Sequence, residues 1–157
     1  MTPEHRKQIQ RIKKRINDPI LFERDEYEQS VHAKLYCVEL SGVLENLLRD
    51  STVAYCKMCA NERVLNFVSK MSNRFPNPNV ENILVIFSYF DEGWRDKIEQ
   101  YWAGEMKDSI SSIVGNRHLI AHGRNCNVSV VRLRIWVGNV EKFSNYVWNE
   151  LFCIKDN

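Results

Sequence analysis

Long apolar runs are missing from this sequence, and so is an N-terminal leader with a hydrophobic middle of the kind that exported proteins carry. A helix that crosses a membrane needs about 20 consecutive apolar residues, and charged side chains interrupt the chain well before that length. The five cysteines, at positions 37, 56, 59, 126 and 153, are an odd and scattered set that does not suit a disulfide framework. We therefore expect a soluble, unexported protein with reduced thiols, located in the cytoplasm and without a membrane partner.

Glycine and proline are also scarce, with six and four residues in a chain of 157. The chain has no glycine-rich phosphate loop and no G-x-S-x-G element, so the common signatures of nucleotide-binding and serine-hydrolase sites are absent. Apolar residues make up 44% of the chain and recur mostly at spacings of three and four. These features predict one all-α domain over residues 1–157, a bundle of about five to six helices.

Charge is distributed unevenly along the chain. Residues 1–17 carry six basic side chains and one acidic one, a net charge of +5, whereas the remainder carries 16 basic and 19 acidic side chains, a net charge of −3. Apolar residues at helical spacing predict a basic amphipathic helix over residues 1–18. Its apolar positions are Ile9, Ile12 and Ile16. Such a helix either exposes a solvated charged face or lies along a phosphate backbone, with Lys13 and Lys14 as RNA contacts.

Further helices follow in the core bundle. One is predicted over about Tyr27–Arg49 and the next over about Ser51–Met71. The buried stripe of the first consists of Val31, Leu35, Val38, Leu40, Leu44, Leu47 and Leu48. Asn79 is a good N-cap for a helix that is apolar on more than one side, which predicts a central position. The stretch "VSVVRLRIWV" has the β-branched composition of a strand, yet its apolar spacing continues helically and no partner strand is visible, which favours one long final helix.

The stretch "GNRHLIAHGRN" closes another helix, predicted over about Lys107–His122 with Gly123 as its C′ residue. With Ile110 at zero degrees on a helical wheel, Arg117 lies within about 20° of the apolar centre. The guanidinium is therefore predicted to point at packed surface, where an unpaired charge costs several kcal/mol. A carboxylate, a second subunit or an anionic ligand must compensate it.

The adjacent face of the same helix is small and polar, and is centred about 110° away. Its members are Ser111, Gly115, His118 and His122. Gly115 allows a backbone or a substrate to come close, and the helix dipole favours the protonated form of His122. A histidine near neutrality beside a fixed cation suits acid–base work on a phosphate ester. The alternatives are an ion-pair role for Arg117, interior packing of either histidine, and a metal site on two histidines four residues apart.

The string "IVGNRHLIAHG" resembles the Arg-(four residues)-His signature of the HEPN superfamily, and is most similar to its RiboL-PSP-HEPN branch. That branch typically reads Arg-Asn-x-Ile-Ala-His-Gly at this place. Two other stretches are similar to it as well: "YCVELSGVLENLL" in an early helix and "NPNVENILVIFSYF" at the start of a central one. The resemblance covers a core bundle of about residues 28–152, with the motif at residues 117–122.

The resemblance implies a bundle that forms a symmetric dimer with the two motif helices facing each other. It further implies a composite endoribonuclease site that needs no metal and no cofactor and leaves 2′,3′-cyclic phosphate ends. Arg117 and His122 take the catalytic positions, and His118 replaces the usual Asn as a substrate-orienting residue together with Asn116. Proteins of this kind commonly act as toxins or phage-defence effectors, which implies RNA as substrate and an antitoxin or defence-system protein as partner. The rival is a catalytically inactive HEPN domain that binds RNA or a protein as a dimerisation module.

Residues outside the motif supply further candidates. Three arginines close to the motif in sequence are predicted to contact the RNA backbone: Arg124, Arg132 and Arg134. Glu45 in the early helix either orients Arg117 or His122, or is a surface charge. Cys56 and Cys59 have CxxC spacing without a second pair, so we interpret them as two small side chains rather than a metal or redox site.

Overall fold

A computed structural model describes residues 1–102 and 104–153 of the chain. Every regular element in these residues is helical, which confirms the all-α prediction, although the described chain divides into eight α-helices rather than five or six. A π-helical segment, Tyr146–Leu151, follows the last of them. The α-helices are α1 (Pro3–Ile16), α2 (Pro19–Glu23), α3 (Glu26–Cys59), α4 (Glu62–Ser72), α5 (Val80–Ser88), α6 (Glu92–Tyr101), α7 (Glu105–Ala121) and α8 (Val130–Asn145).

The predicted basic amphipathic helix at the start of the chain is confirmed as α1. Its three isoleucines are buried where α1 packs against α3 and α8. Two of its cations are held by acidic residues of those helices. Lys13 forms an ion pair with Glu141 of α8, and Arg15 Nη1 lies 2.9 Å from Glu39 Oε1 of α3. The basic helix is thus fixed to the body of the bundle, and part of its positive charge is compensated there.

The predicted break after Arg49 is wrong, because α3 continues as one helix of 34 residues to Cys59. Hydroxyl side chains often interrupt helices by competing for backbone groups. Here the Thr52 hydroxyl donates to the carbonyl of Leu48 at 2.8 Å, so it is satisfied inside the helix. The break comes at Asn61, whose side chain accepts a backbone N–H in the first turn of α4 at 3.1 Å.

The predicted buried stripe of α3 is in fact two stripes on opposite sides of the helix. The four leucines are buried as predicted: Leu40, Leu44, Leu47 and Leu48. Val31, Leu35 and Val38 are instead 47%, 50% and 38% exposed. Val31 and Leu40 are nine residues apart, which separates them by about 180° around a helix. Together with Tyr27, these three exposed residues form what we term the α3 stripe, an apolar surface that the described residues leave uncovered.

The later helices build the rest of the core. α5 buries four apolar residues: Ile83, Leu84, Ile86 and Phe87. The chain breaks before α6, which begins at Glu92, and the Asp91 carboxylate accepts the backbone N–H of Gly93 at 2.8 Å. α8 confirms the helical interpretation of "VSVVRLRIWV", and it packs against α1, α3 and α7. Trp102 and Trp148 are fully buried in the core.

His5 gives the fold a pH-dependent stability. It is 1% exposed, its Nε2 lies 3.1 Å from the Ser144 hydroxyl, and burial lowers its pKa to about 4 from 6.5. The unfolded chain therefore binds a proton first as the pH falls, so the stability is complete above pH 6.5 and is lost towards pH 4. We expect the free energy of unfolding to fall by about 2 kcal/mol between about pH 7 and pH 5, as measured by urea denaturation. His5→Leu should flatten this dependence, and an unchanged slope in that variant would assign it to other groups.

Candidate active site

The motif lies at the C-terminal end of α7, and the way this helix ends fixes its last side chain. His122 is the C-cap residue and Gly123 follows with a positive φ of 63°. The N–H of Gly123 donates to the carbonyl of Ile120 at 3.1 Å, and the N–H of Arg124 donates to the carbonyl of Leu119 at 2.9 Å. This pair of bonds is a Schellman motif, and glycine adopts its left-handed position without strain. The predicted helix end is confirmed, and it leaves the His122 side chain exposed.

Arg117 is half-buried rather than directed into packed surface, which corrects the prediction from the helical wheel. Its side chain is 38% exposed, and its Nη2 lies 3.9 Å from Glu45 Oε1 on α3. Of the compensating groups expected for this cation, the carboxylate is present. An exposed pair at this distance contributes about 1 kcal/mol or less. In the described part of the chain no hydrogen bond holds the guanidinium, so its planar donor groups are available to an anion.

Arg117 and Glu45 line a cavity of about 270 Å³ between α3, α7 and the segment that follows α4; we term it the motif cavity. The other lining residues are Leu48, Arg49, Ser72, Asn73, Phe75, Pro76 and Asn77. Two arginines contribute to this wall, and each has a carboxylate nearby: Glu45 for Arg117, and Asp50, whose Oδ1 lies 3.3 Å from Arg49 Nε. The guanidinium groups are planar sets of donors that match the oxygens of a phosphate group.

The two histidines of the motif lie side by side on the neighbouring face of α7. Their ring centroids are 4.4 Å apart and the rings are inclined at 60°. His118 lines a second cavity, of about 450 Å³, together with Gly115. A Cβ atom placed on Gly115 would meet no atom within 4 Å, so this part of α7 faces open space in one protomer. The close approach predicted at Gly115 therefore has no partner within the described chain.

Arg117 and His122 do not converge on one point within a protomer. They are five residues apart, which separates their directions by about 140° around a helix. Arg117 accordingly faces α3 and the motif cavity, whereas His122 lies exposed at the helix end. The two side chains therefore leave α7 in different directions.

The other predicted site residues do not line the motif cavity. Asn116 donates its side-chain N–H to the carbonyl of Ser112 at 2.8 Å, within α7 itself. Arg124 is exposed beside the motif. Arg132 donates to the carbonyl of Asn127 at 3.0 Å, which holds it against the loop that follows the motif. The remaining predicted RNA contacts are exposed or half-buried on α8 and α1: Arg134, whose guanidinium lies 4.7 Å from the Phe22 ring centroid, Lys13 and Lys14.

The segment 73–77, between α4 and α5, is a further part of the site. Asn77 lines both the motif cavity and the cavity of His118. Its carbonyl accepts the side-chain N–H of Asn82 at 2.7 Å and the backbone N–H of Asn79 at 2.8 Å, which fixes the loop. The asparagines and prolines of "NRFPNPN" signal an ordered turn of this type, but nothing in the string predicts that it faces α7.

The CxxC pair lies in the last turn of α3. Cys56 is buried and Cys59 is exposed, and burial raises the pKa of the Cys56 thiol. Among the described residues no group of three or more His, Cys, Asp or Glu side chains is arranged to hold a metal ion. No helix within residues 1–102 and 104–153 has the length and apolarity that a membrane span requires.

Comparison with known proteins agrees with the all-α fold. The family model described as RiboL-PSP-HEPN matches residues 4–150, from the first turn of α1 into the π-helical segment. Neither a curated protein nor a solved structure matches the chain. The matched range includes the motif, the motif cavity and almost all of the described core. The chain belongs to the RiboL-PSP-HEPN family, a family of the HEPN type.

Proposed function

We propose that the protein is a metal-independent endoribonuclease whose active site forms between two copies of α7 in a symmetric dimer. The observation that carries this proposal is the separation of about 140° between Arg117 and His122. Each protomer holds both reactive groups but directs them apart, so a second α7 must supply the missing half. Membership in the family supports a nuclease or RNA-binding role in general. A toxin or phage-defence effector, restrained by an antitoxin or another defence protein, is the cellular role we propose with it.

The chemistry follows from these side chains. A neutral His122 takes the proton of a ribose 2′-hydroxyl, and the oxygen attacks the adjacent phosphorus. The bond to the 5′-oxygen breaks as this oxygen takes a proton from water, and His122 then releases its own proton to the solvent. Arg117 stabilises the extra negative charge on the phosphate oxygens with its fork of N–H donors. The products are one fragment with a 2′,3′-cyclic phosphate end and one with a free 5′-hydroxyl.

The α3 stripe supports dimerisation next to the motif. Val31, Leu35 and Val38 lie within about 40° of one line along α3, and Glu45 lies on the same line further along the helix. Glu45 is also the residue that contacts Arg117. An exposed apolar surface that leads directly to the reactive arginine is typical of a surface that another molecule covers. A second copy that covers it brings a second α7 close to the first.

The arrangement of Arg117 also favours one rival function. Because Glu45 already partners this arginine, the pair could serve only to join α3 to α7 in a dimerisation module that binds RNA or a protein without cleaving it. In that case RNA would bind at the arginines of the motif cavity and would leave intact. The side chains His118 and Asn116 would then orient bound RNA rather than reacting RNA.

Cleavage of a labelled RNA in excess EDTA tests the proposal. We expect the wild-type protein to cut the RNA to fragments with 2′,3′-cyclic phosphate ends and to leave DNA of the same sequence intact, because DNA lacks the attacking hydroxyl. The fragment ends are identified by mass spectrometry. Cleavage that stops when EDTA is added would indicate a metal reaction. Bound but intact RNA, with a dimer in solution, would establish the binding module instead.

A further inference from the structure

A third concavity lies between α4 and α5, away from the motif residues. Its volume is about 690 Å³, which is within the range of about 300–1,000 Å³ that small-molecule sites occupy. Aromatic and aliphatic side chains dominate its wall, and the principal ones are Tyr55, Phe67, Met71, Phe75, Val85 and Phe90. We term it the apolar cavity.

Helix α4 forms one wall of the apolar cavity and is incompletely packed. It packs mainly against α3, and Ser72 is its only fully buried residue among those described. Phe67 is 64% exposed and Met71 is 42% exposed, although both lie on the apolar side of the helix. Exposed large side chains that face one another across a concavity gain contacts when a further apolar group fills it. The described chain supplies no such group.

The charge of the residues that line the apolar cavity determines which class of ligand it favours. Arg74 is the one charged residue in the lining, and no Asp or Glu lines the described wall. No carboxylate in the described chain pairs with its guanidinium. Tyr89, which is 79% exposed, also lines the cavity and carries a hydroxyl donor. An apolar chamber with an uncompensated cation at its edge favours a molecule with an apolar body and an anionic head.

The volume of the cavity matches a small molecule, and its one charged lining residue matches an anionic group. Its wall extends along α4, from Ala60 at the start to Phe75 and Pro76 beyond the end. We propose that the apolar cavity binds an amphipathic anion, an acyl or arylalkyl chain with a carboxylate, sulfonate or phosphate head at Arg74.

Occupancy of the apolar cavity is coupled to the motif. Phe75 and Pro76 line the apolar cavity on one side and the motif cavity, with Arg117, on the other. A ligand that displaces this shared wall changes the space in front of Arg117. By linkage, RNA bound at the motif changes ligand affinity by the same factor. The coupling rests on the proposed function, whereas ligand binding itself does not.

Fluorescence of anilinonaphthalene sulfonate, which combines an aromatic body with an anionic head, reports binding directly. The dye is titrated into the full-length protein and displaced by decanoate, decanol or decyltrimethylammonium below their micellar concentrations. We expect decanoate to displace it at a concentration about tenfold lower than decanol, the size of one charge-assisted hydrogen bond. The cationic amphiphile should displace it least. Arg74→Gln should abolish the preference for decanoate, and Arg63→Gln, an exposed cation of α4 outside the lining, should retain it.

Filling the cavity provides the second variant. Val68→Trp places a large ring inside the wall and should prevent dye binding, with the native helical circular dichroism spectrum retained. Equal competition by all three amphiphiles, or a decanoate preference that survives Arg74→Gln, would overturn the anion site. Dye binding that disappears as the protein self-associates would assign the surface to a second copy of the chain and would also overturn it.

The coupling is measured with an RNA that carries 2′-O-methyl groups and is therefore not cut. We expect saturating decanoate to change its dissociation constant by at least about fivefold in the wild-type protein and not at all in Val68→Trp. An unchanged constant in the wild type, together with dye displacement, would overturn the coupling. Absence of RNA binding would count against the proposed function while the amphiphile results still decide the ligand site.

Discussion

A heterodimer of Arg117→Ala and His122→Ala subunits is expected to recover about half of the wild-type cleavage rate, although each variant homodimer loses at least about a hundredfold. The reason lies in the directions of the two side chains. If Arg117 of one protomer acts with His122 of the other, a symmetric dimer contains two such pairs. In the heterodimer one pair lacks both residues, and the other pair is intact.

The same experiment decides between pairs within and between protomers. A pair formed within one chain would be broken in both subunits of the heterodimer, and no activity would return. The two variants are co-expressed with different tags, the heterodimer is isolated by sequential affinity purification, and the rate is measured on labelled RNA in EDTA. Lys107→Ala provides the control, since it removes an exposed cation from the same helix and lies outside both cavities at the motif. We expect its rate to equal that of the wild type.

Loss of cleavage must also be separated from loss of the dimer. Removal of the Arg117 guanidinium leaves Glu45 without its partner, but both side chains are more than one third exposed, so the destabilisation is about 1 kcal/mol or less. Both variant homodimers should therefore sediment as the wild type does. Dissociation of Arg117→Ala into monomers would show that the arginine joins α3 to the partner instead of reacting, and would favour the dimerisation module.

Local signals in the sequence were sufficient for most of the helices and for the end of α7. Proline, asparagine and glycine determine helix ends through their own backbone and side-chain bonds, so Asn79 and Gly123 could be assigned from their types alone. The predicted end of α3 is wrong because a Ser or Thr hydroxyl can form its hydrogen bond either within a helix or to backbone groups in a turn that ends it. The choice of an intrahelical bond at Thr52 depends on packing around the helix.

The two stripes of α3 explain why the prediction of a single buried stripe on this helix is wrong. Seven apolar residues at spacings of three and four look like one face, but a spacing of two between Val38 and Leu40 moves the pattern about 200° around the helix. A long helix with apolar residues on opposite sides has two apolar contacts to make. In this chain the remaining helices cover one side of α3, and the other stays exposed.

The candidate site was only partly accessible from sequence for a different reason. The reactive residues lie within one short helix end, so their types and spacing are visible in the string. The walls of both cavities at the motif come from α3, the segment 73–77 and α5, which are distant in sequence. Contacts of that kind depend on tertiary packing, and one sequence contains no signal that pairs Asn77 with Arg117 or His118.

Leu35→Asp is expected to convert the dimer to monomers at micromolar concentrations, with a dissociation constant raised at least about a hundredfold. Leu35 lies in the middle of the α3 stripe and is 50% exposed in one protomer. A carboxylate at the centre of an apolar dimer surface loses its hydration without gaining a partner, which costs several kcal/mol. The monomer keeps its core, because the substituted side chain does not contribute to it. Cleavage should fall with the dimer, since each site needs two copies of α7.

Sedimentation velocity over a range of protein concentrations measures this change, and Ile135→Asp is its matched control. Ile135 is 45% exposed, so the same substitution introduces the same charge at an equal exposure, but on α8 instead of α3. We expect Ile135→Asp to remain dimeric and active. If Ile135→Asp dissociates and Leu35→Asp does not, the two copies meet through α8, and the dimer surface proposed on α3 is wrong. The composite mechanism requires that Leu35→Asp dissociates and that Ile135→Asp stays dimeric. The reason is that the α3 stripe, beside Glu45 and Arg117, is the surface through which we propose that the two motif helices meet.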